Sequence, residues 1–245
     1  MQAHGPRGWI HEIFTSVQGE GIYCGCCHTF VRFARCNLEC DYCDTPTSRE
    51  PHPDVCRVEP EPGTGRFEEL ANPLTARQVT EACASLPARV AALTGGEPLL
   101  QHEFLAELMR EMKERGCSTY LETNGTLWEE LGGVVGMTDV IAMDIKLPSS
   151  TGGAAMWDDH ERFLRIASGS EVFVKAVVDA RTSEDEMDRC CEIVVAVDRR
   201  IPLVIQPVSG AAIEGRKLMA LQRRALERLE DVRVIPQVHK VLGIM

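Results

Sequence analysis

Cys36, Cys40 and Cys43 stand in the stretch Cys36-Asn37-Leu38-Glu39-Cys40-Asp41-Tyr42-Cys43, a C-x3-C-x2-C spacing with an aromatic just before the last thiol. Three thiolates hold three irons of a cubane cluster and leave the fourth iron open to a small ligand. One-electron chemistry on a bound molecule can take place at that open iron. A tetrahedral zinc asks instead for four protein donors, and Cys24, Cys26, Cys27 and His28 lie close enough in sequence to offer the fourth. On spacing alone, an iron–sulfur or zinc binding module stays open beside an enzyme.

Further polar motifs fall where apolar runs end. Thr94-Gly95-Gly96-Glu97-Pro98 follows Val90–Thr94, Glu122-Thr123-Asn124-Gly125-Thr126 follows Ser118–Glu122, Asp144-Ile145-Lys146 follows Val140–Met143, and Gln206-Pro207-Val208-Ser209 ends Leu203–Gln206. The cysteines themselves follow His28–Phe33, the first clear strand. Chance would scatter such motifs to both ends of a sheet. Glycine pairs as in Gly95-Gly96 let backbone approach a ligand closely.

Positioning these motifs takes alternating strands and helices. Leu74–Leu86 reads as a helix with Thr75 as N-cap, His102–Arg115 as a helix closed by Gly116, and Trp157–Ala167 as a third. Ser183 opens a helix whose first turn holds Glu184, Asp185 and Glu186, where the helix dipole favours negative charge. Gly215–Glu230 is the last long helix, and Glu171–Val178 and Val232–Ile235 are further strands. Short links between strand and helix imply parallel strands with right-handed crossovers. The predicted fold is α/β, a partial TIM-like barrel of (β/α)6 type, with every polar motif at the rim where barrel enzymes keep their sites. Residues 1–245 are expected to form a single domain, with an irregular Pro- and Gly-rich insertion at about 46–73, packed on or near the cysteine loop.

The 245 residues carry 44% hydrophobic side chains, enough for a sizeable core, and a net charge of −11. That charge argues against a broad nucleic-acid or membrane footprint. No apolar run is long enough to cross a bilayer and the start of the chain has no apolar signal core, so the expected location is cytoplasmic. Eleven cysteines then read as reduced thiols. Cys83, Cys117, Cys190 and Cys191 are expected as small core residues, and Cys56 as exposed in the insertion.

With the cysteine triad in place, Gly95-Gly96-Glu97-Pro98 resembles the glycine-rich motif of the radical S-adenosylmethionine (SAM) superfamily, whose backbone receives the SAM amino group. Three further stretches, Ser16-Val17-Gln18-Gly19-Glu20-Gly21, Phe30-Val31-Arg32-Phe33 and Cys43-Asp44-Thr45, sharpen the resemblance to the 7-carboxy-7-deazaguanine synthase (QueE) family. So do Glu122-Thr123-Asn124-Gly125 and Gln237 to Ile244, and the likeness runs from about residue 10 to the end. The chain departs from the family at Arg35, where a small residue is usual, and at Cys27, where proline is common.

The resemblance implies a radical SAM core in which Cys36, Cys40 and Cys43 hold a [4Fe–4S] cluster. Tyr42, Cys43, Asp44, Gly96, Asp144, Ile145, Lys146, Gln206, Pro207, Val208 and Ser209 would contact SAM. Val17, Gln18, Gly19 and Glu20 would hydrogen-bond a pterin substrate, Arg32 would pair with its carboxylate, and Thr94 and Met245 would complete the contacts. Thr45 would ligate Mg2+. No catalytic role falls to His239 or Lys240, and Glu122 and Asn124 would shape the SAM site. The implied reaction is a lyase step of queuosine and 7-deazapurine biosynthesis. A SAM-derived radical converts 6-carboxy-5,6,7,8-tetrahydropterin to 7-carboxy-7-deazaguanine with loss of ammonia, and no side chain acts as acid, base or nucleophile. Expected partners are an electron donor such as flavodoxin or ferredoxin and a second copy in a homodimer. A glycyl-radical activating enzyme shares the cysteine spacing and is the nearest rival.

Overall fold

A computed structural model of the chain describes residues 5–210 and 213–244. In chain order the strands are β1 (Arg7–Gly8), β2 (Ile10–Val17), β3 (Cys27–Phe33), β4 (Val55–Val58), β5 (Glu68–Ala71), β6 (Leu74–Thr75), β7 (Val90–Gly95), β8 (Ser118–Thr123), β9 (Val140–Ile145), β10 (Glu171–Val178), β11 (Leu203–Pro207) and β12 (Val232–Val234). The α-helices are α1 (Ala76–Ala84), α2 (His102–Glu114), α3 (Trp128–Leu131), α4 (Pro148–Thr151), α5 (Trp157–Ala167), α6 (Glu184–Val195), α7 (Gly215–Leu226) and α8 (Val238–Leu242). The main sheet runs β12-β11-β10-β9-β8-β7-β3-β2-β4-β5, and β1 pairs with β6 apart from it. From β3 to β12 every neighbouring pair is parallel. The fold is therefore α/β with a partial, open barrel: among the described residues the edge strands β12 and β5 do not pair with each other.

Helix starts follow local chemistry. Thr75 and Ser183 each accept a backbone N–H three residues on, from Gln78 and Glu186, and both of those side chains bond back. These capping boxes satisfy donors that a helix start leaves orphaned. The strands β7 to β11 and helices α1, α2, α5 and α6 agree closely with the expected ones.

Two regions differ. Strand β2 precedes the expected first strand and pairs antiparallel with β3. A register shift between Ile10 and Glu12 interrupts its alternation, so the buried Ile10, Ile13 and Phe14 do not show period two in the sequence. Residues 46–73 are more regular than expected. They hold a short 3-10 turn, Pro46–Arg49, and the antiparallel pair β4–β5, which adds to the edge of β2. Cys56, expected exposed, is buried on β4, because it and Val58 face the core. The acidic Glu68 and Glu69 on β5 blunt the outer edge and disguise the strand.

Two apolar layers cover the sheet. The larger lies between the strands and the helices and includes Val31, Leu93, Leu121, Met143, Val174 and Ile205 with Leu105, Phe163 and Ile193. The smaller lies on the opposite, concave face: Phe14, Phe30, Ala92, Tyr120, Ala142, Phe173 and Val204. Cys190 and Cys191 are buried in the first layer, as small core residues should be.

Candidate active site

Residues two apart on a strand share a face. Two steps beyond the concave apolar floor, toward the C-terminal ends of the parallel strands, the side chains change to Arg32, Thr94, Glu122, Asp144, Lys175 and Gln206. All six line a cavity of about 740 Å³. Antiparallel β2 supplies Glu12 opposite Arg32, and Glu12 Oε1 accepts from Arg32 Nε at 2.7 Å. The floor is thus aromatic and small, the next layer is charged and polar, and the loops above carry the cysteines.

The cysteine loop is fixed by its backbone. Arg35 is the one described non-glycine residue with positive φ, at 73°. Its N–H donates to Ser48 at 2.7 Å and its carbonyl accepts from Glu97 N at 2.8 Å. A Cβ on Gly96 would lie 1.9 Å from that carbonyl oxygen, so only glycine lets the two turns meet. The Arg35 side chain points to solvent, and the departure noted in sequence leaves the loop closed onto the glycine turn. Arg49 Nη2 donates to the Cys40 carbonyl at 2.8 Å, and Cys43 N to the same carbonyl at 3.2 Å.

Cys36, Cys40 and Cys43 are free, half-buried and all line the cavity. Burial pushes the Cys36 and Cys40 thiols up. Donors of one tetrahedral zinc sit about 4 Å apart. Among the described residues the set of His, Cys, Asp and Glu donors gathered within 4.8 Å is Glu20, Asp44 and His239, and the three thiols are not in it. Among the described residues neither Cys24, Cys26, Cys27 nor His28 completes a compact zinc site with them.

Glu97 joins this loop to the next motif. It is fully buried; Oε1 accepts from Leu99 N at 3.1 Å and Thr123 Oγ1 at 2.9 Å, and Oε2 from Asn124 N at 2.8 Å. Burial raises its carboxyl to about 7 against those three bonds. Asn124 Nδ2 in turn donates to Asn37 Oδ1 at 2.8 Å, back on the cysteine loop.

Across the cavity, the turn at Gln18 to Glu20 meets the polar layer. Gln18 Nε2 donates to Glu122 Oε1 at 2.8 Å, and Thr94 Oγ1 to Glu122 Oε2 at 2.7 Å. Glu20 pairs with Lys175, and Lys175 Nζ stands 3.4 Å from Asp144 Oδ2. Burial works to raise the Glu20 carboxyl, but Lys175 and the bond from Gln237 outweigh it and hold it at about 2. Lys146 Nζ bonds Asp144 Oδ2 at 2.9 Å and Tyr42 Oη at 3.1 Å. Burial opposes the Lys146 charge, yet Asp144 drives its ammonium well above the ordinary lysine range. Gln237 Nε2 donates to Glu20 Oε1 at 2.7 Å and Asp44 Oδ2 at 3.0 Å, while Ser209 Oγ donates to Gln237 Oε1 at 2.6 Å. Thr45 Oγ1 donates to Asp44 Oδ1 at 3.0 Å and accepts from Arg32 Nη1 at 3.4 Å.

Two buried acceptors on side chains of the cavity wall have no hydrogen-bond partner among the described residues, Asp144 Oδ1 and Gln206 Oε1. Buried polar atoms are rarely left so, and both belong to side chains of the polar layer that lines the cavity. The cavity size falls in the range of ligand pockets.

Of the residues singled out in sequence, Val17, Gln18, Gly19, Glu20, Arg32, Cys36, Cys40, Tyr42, Cys43, Asp44, Thr45, Thr94, Gly96, Asp144, Lys146, Gln206, Val208 and Ser209 converge on the one cavity. Ile145 does not. It alternates away from Asp144 and is buried in the outer layer. Pro207 follows Gln206 at the end of β11 and likewise does not line the cavity. Met245 lies outside the described residues. Lys175, which the sequence did not single out, also lines the cavity, as do Gln237, His239 and Lys240, which were given no role. For Lys175 the signal was available: it follows Phe173 by two, as Asp144 follows Ala142.

The Radical SAM superfamily model matches residues 30–181. The chain is 40% identical to the 7-carboxy-7-deazaguanine synthase of Geobacter sulfurreducens over 248 residues, covering 97% of this chain and 98% of that one. It is 36% identical to the protein of the same name from Archaeoglobus fulgidus, over 97% and 99% of the two chains. The solved structure of QueE from Escherichia coli shares the fold, with a TM-score of 0.64 at 19% identity and 94% of each chain covered. Held against the three thiols, the glycine turn and the polar layer that meet in one cavity, these likenesses place the chain in the 7-carboxy-7-deazaguanine synthase family of the radical SAM superfamily.

Proposed function

We propose that the chain converts 6-carboxy-5,6,7,8-tetrahydropterin to 7-carboxy-7-deazaguanine with loss of ammonia, as a carbon–nitrogen lyase of 7-deazapurine and queuosine biosynthesis. The observation that carries this reading is one cavity with the cysteine loop on one wall and the Gln18–Glu20 turn on the other. Cys36, Cys40 and Cys43 would hold the [4Fe–4S] cluster that membership of the superfamily implies. Tyr42, Cys43, Asp44, Gly96, Asp144, Lys146, Gln206, Val208 and Ser209, which all line the cavity, would hold SAM. When bound, cluster and SAM would supply the one-electron radical chemistry of the superfamily, directed at the pterin.

The chain's own residues orient and enclose. Val17, Gln18, Gly19 and Glu20 hold the pterin. Glu20, ionised through the neutral range, accepts its N–H donors. Arg32 has Nε on Glu12 and Nη1 near Thr45, which leaves Nη2 for the substrate carboxylate. Thr94 donates to Glu122 and so presents its lone pairs to the cavity. The floor of Phe14, Phe30, Tyr120 and Phe173 closes the cavity from below and keeps water from the reacting carbon. Mg2+ would sit at Thr45, whose hydroxyl lies 3.0 Å from the Asp44 carboxylate.

Three further parts belong to this reading: an external one-electron donor of flavodoxin or ferredoxin type, a cytoplasmic setting, and a homodimer. The eleven free thiols suit a reducing compartment. Exposed Met219 and Leu226 on α7 offer apolar surface to a second copy. No helix among the described residues is long and apolar enough to cross a membrane. The test is anaerobic turnover: reconstituted, reduced protein with SAM, Mg2+ and the carboxypterin is expected to release 7-carboxy-7-deazaguanine. Cleavage of SAM without that product would point to another radical SAM enzyme. No cleavage at all would leave a binding module.

A further inference from the structure

Lys175 holds the position in the polar layer between Asp144 and Gln206 and reaches across the cavity to the turn after β2. Its side chain is 17% exposed, as is that of Glu20. Among the described residues it is the cation that pairs with Glu20. The two oxygens of Glu20 are held separately, Oε2 by Lys175 and Oε1 by Gln237. A carboxylate oxygen carries two lone pairs, so each keeps one for a ligand. A carboxylate pinned in this way presents two parallel acceptors, the geometry that two neighbouring N–H donors on one ring edge require.

Asp144 anchors the other side of the ammonium, and Lys146 shares the same Asp144 oxygen. With carboxylates on two sides, Lys175 keeps its proton, so its work is electrostatic and not proton transfer. Removing it would leave Glu20 and Asp144 without their shared countercharge in one half-buried cavity and free Glu20 to turn.

We propose that Lys175 is a positioning residue that fixes Glu20 as a two-pronged acceptor for the N–H edge of the pterin. The inference rests on the pterin reading above and deepens it by naming what sets substrate orientation.

The test is a double-mutant cycle on reconstituted holoenzyme, with anaerobic equilibrium binding of 6-carboxy-5,6,7,8-tetrahydropterin to wild type, Lys175→Met, Glu20→Gln and the double variant. Each single change is expected to weaken binding by about thirtyfold or more, the usual loss when one partner of a buried charge pair is cut. Because Lys175 acts through Glu20, the double variant should bind no more weakly than Glu20→Gln alone. Losses that multiply in the double variant, or a Lys175→Met protein that binds as wild type does, would overturn the proposal. If Lys175→Met fails to retain its cluster, the double variant is expected to regain it, because both charges leave together; loss of cluster there, with Glu20→Gln intact, is equally fatal. Wild-type protein that binds no pterin would refute the substrate reading instead, which separates the two claims.

Discussion

The two faces of the sheet use the same alternation for opposite ends. On the outer face Val31, Leu93, Leu121 and Val174 meet helices and are fully buried. On the concave face the same strands offer Phe30, Ala92, Tyr120 and Phe173, and two residues later Arg32, Thr94, Glu122 and Lys175. Around these four the partners are mainly apolar side chains, so shape and volume decide the energy. Inside, the partners are one another's charges, and an acceptor such as Asp144 Oδ1 finds no partner among the described residues. The outer face therefore carries stability, and the inner face trades some of it for a site.

That division can be broken at five points. Cys40→Ala should abolish the brown cluster absorbance after anaerobic reconstitution and end SAM cleavage, with the fold retained by circular dichroism; an intact cluster would remove Cys40 from the ligand set. Leu93→Ala, on the outer face, should lose about 2–5 kcal/mol of stability in denaturant melts while the folded protein keeps its ligand affinities. Ala142→Leu, on the cavity floor, should do the reverse: stability within about 1–3 kcal/mol of wild type, but pterin or SAM affinity down by an order of magnitude or more in equilibrium titrations. Equal stability losses from both would erase the distinction between the faces.

Glu97 sharpens the comparison, because it is a buried acid placed between the two regions. Its folded value, about 7, lies above the ordinary 4.5. The folded chain thus keeps a proton that the unfolded chain gives up, so the stabilising effect is complete below about pH 4.5 and is lost as pH rises to about 7. Thermal melts of wild type and Glu97→Gln should show the wild-type advantage shrinking by up to a few kcal/mol between about pH 5 and 8; a constant gap would mean that Glu97 does not titrate there. The smallest expected change is at Thr45. Replacing it by Ala should weaken Mg2+ stimulation of turnover by about tenfold or less, one hydroxyl contact, and leave the cluster spectrum unchanged. Unaltered Mg2+ dependence would clear Thr45 of that role.

Much of this was legible because the relevant signals are local. Caps at Thr75 and Ser183, the ends of β7 to β10 and the order of strand and helix follow from periods and end chemistry within a dozen residues. Strand β2 was not legible, since a bulge that only its pairing with β3 reveals breaks the pattern. Cys56 was misjudged for a related reason: the burial of β4 is given by β2, more than thirty residues away in sequence. In the sequence Arg35 is a departure from the family pattern that bears on the conformation of the cysteine loop, without saying how. In the fold its carbonyl is what Glu97 bonds and what Gly96 must leave room for.

By itself the sequence determined the chemistry: three thiols at a spacing set by covalent geometry, a glycine turn, and polar residues at strand ends that parallel pairing must bring to one rim. The tertiary structure alone decided which carboxylate faces which cation. Glu20 meets Lys175 across 155 residues and Gln237 across 217. Ionic and hydrogen-bonded partners across a cavity depend on distances that no local period encodes, so only the folded sheet could reveal them.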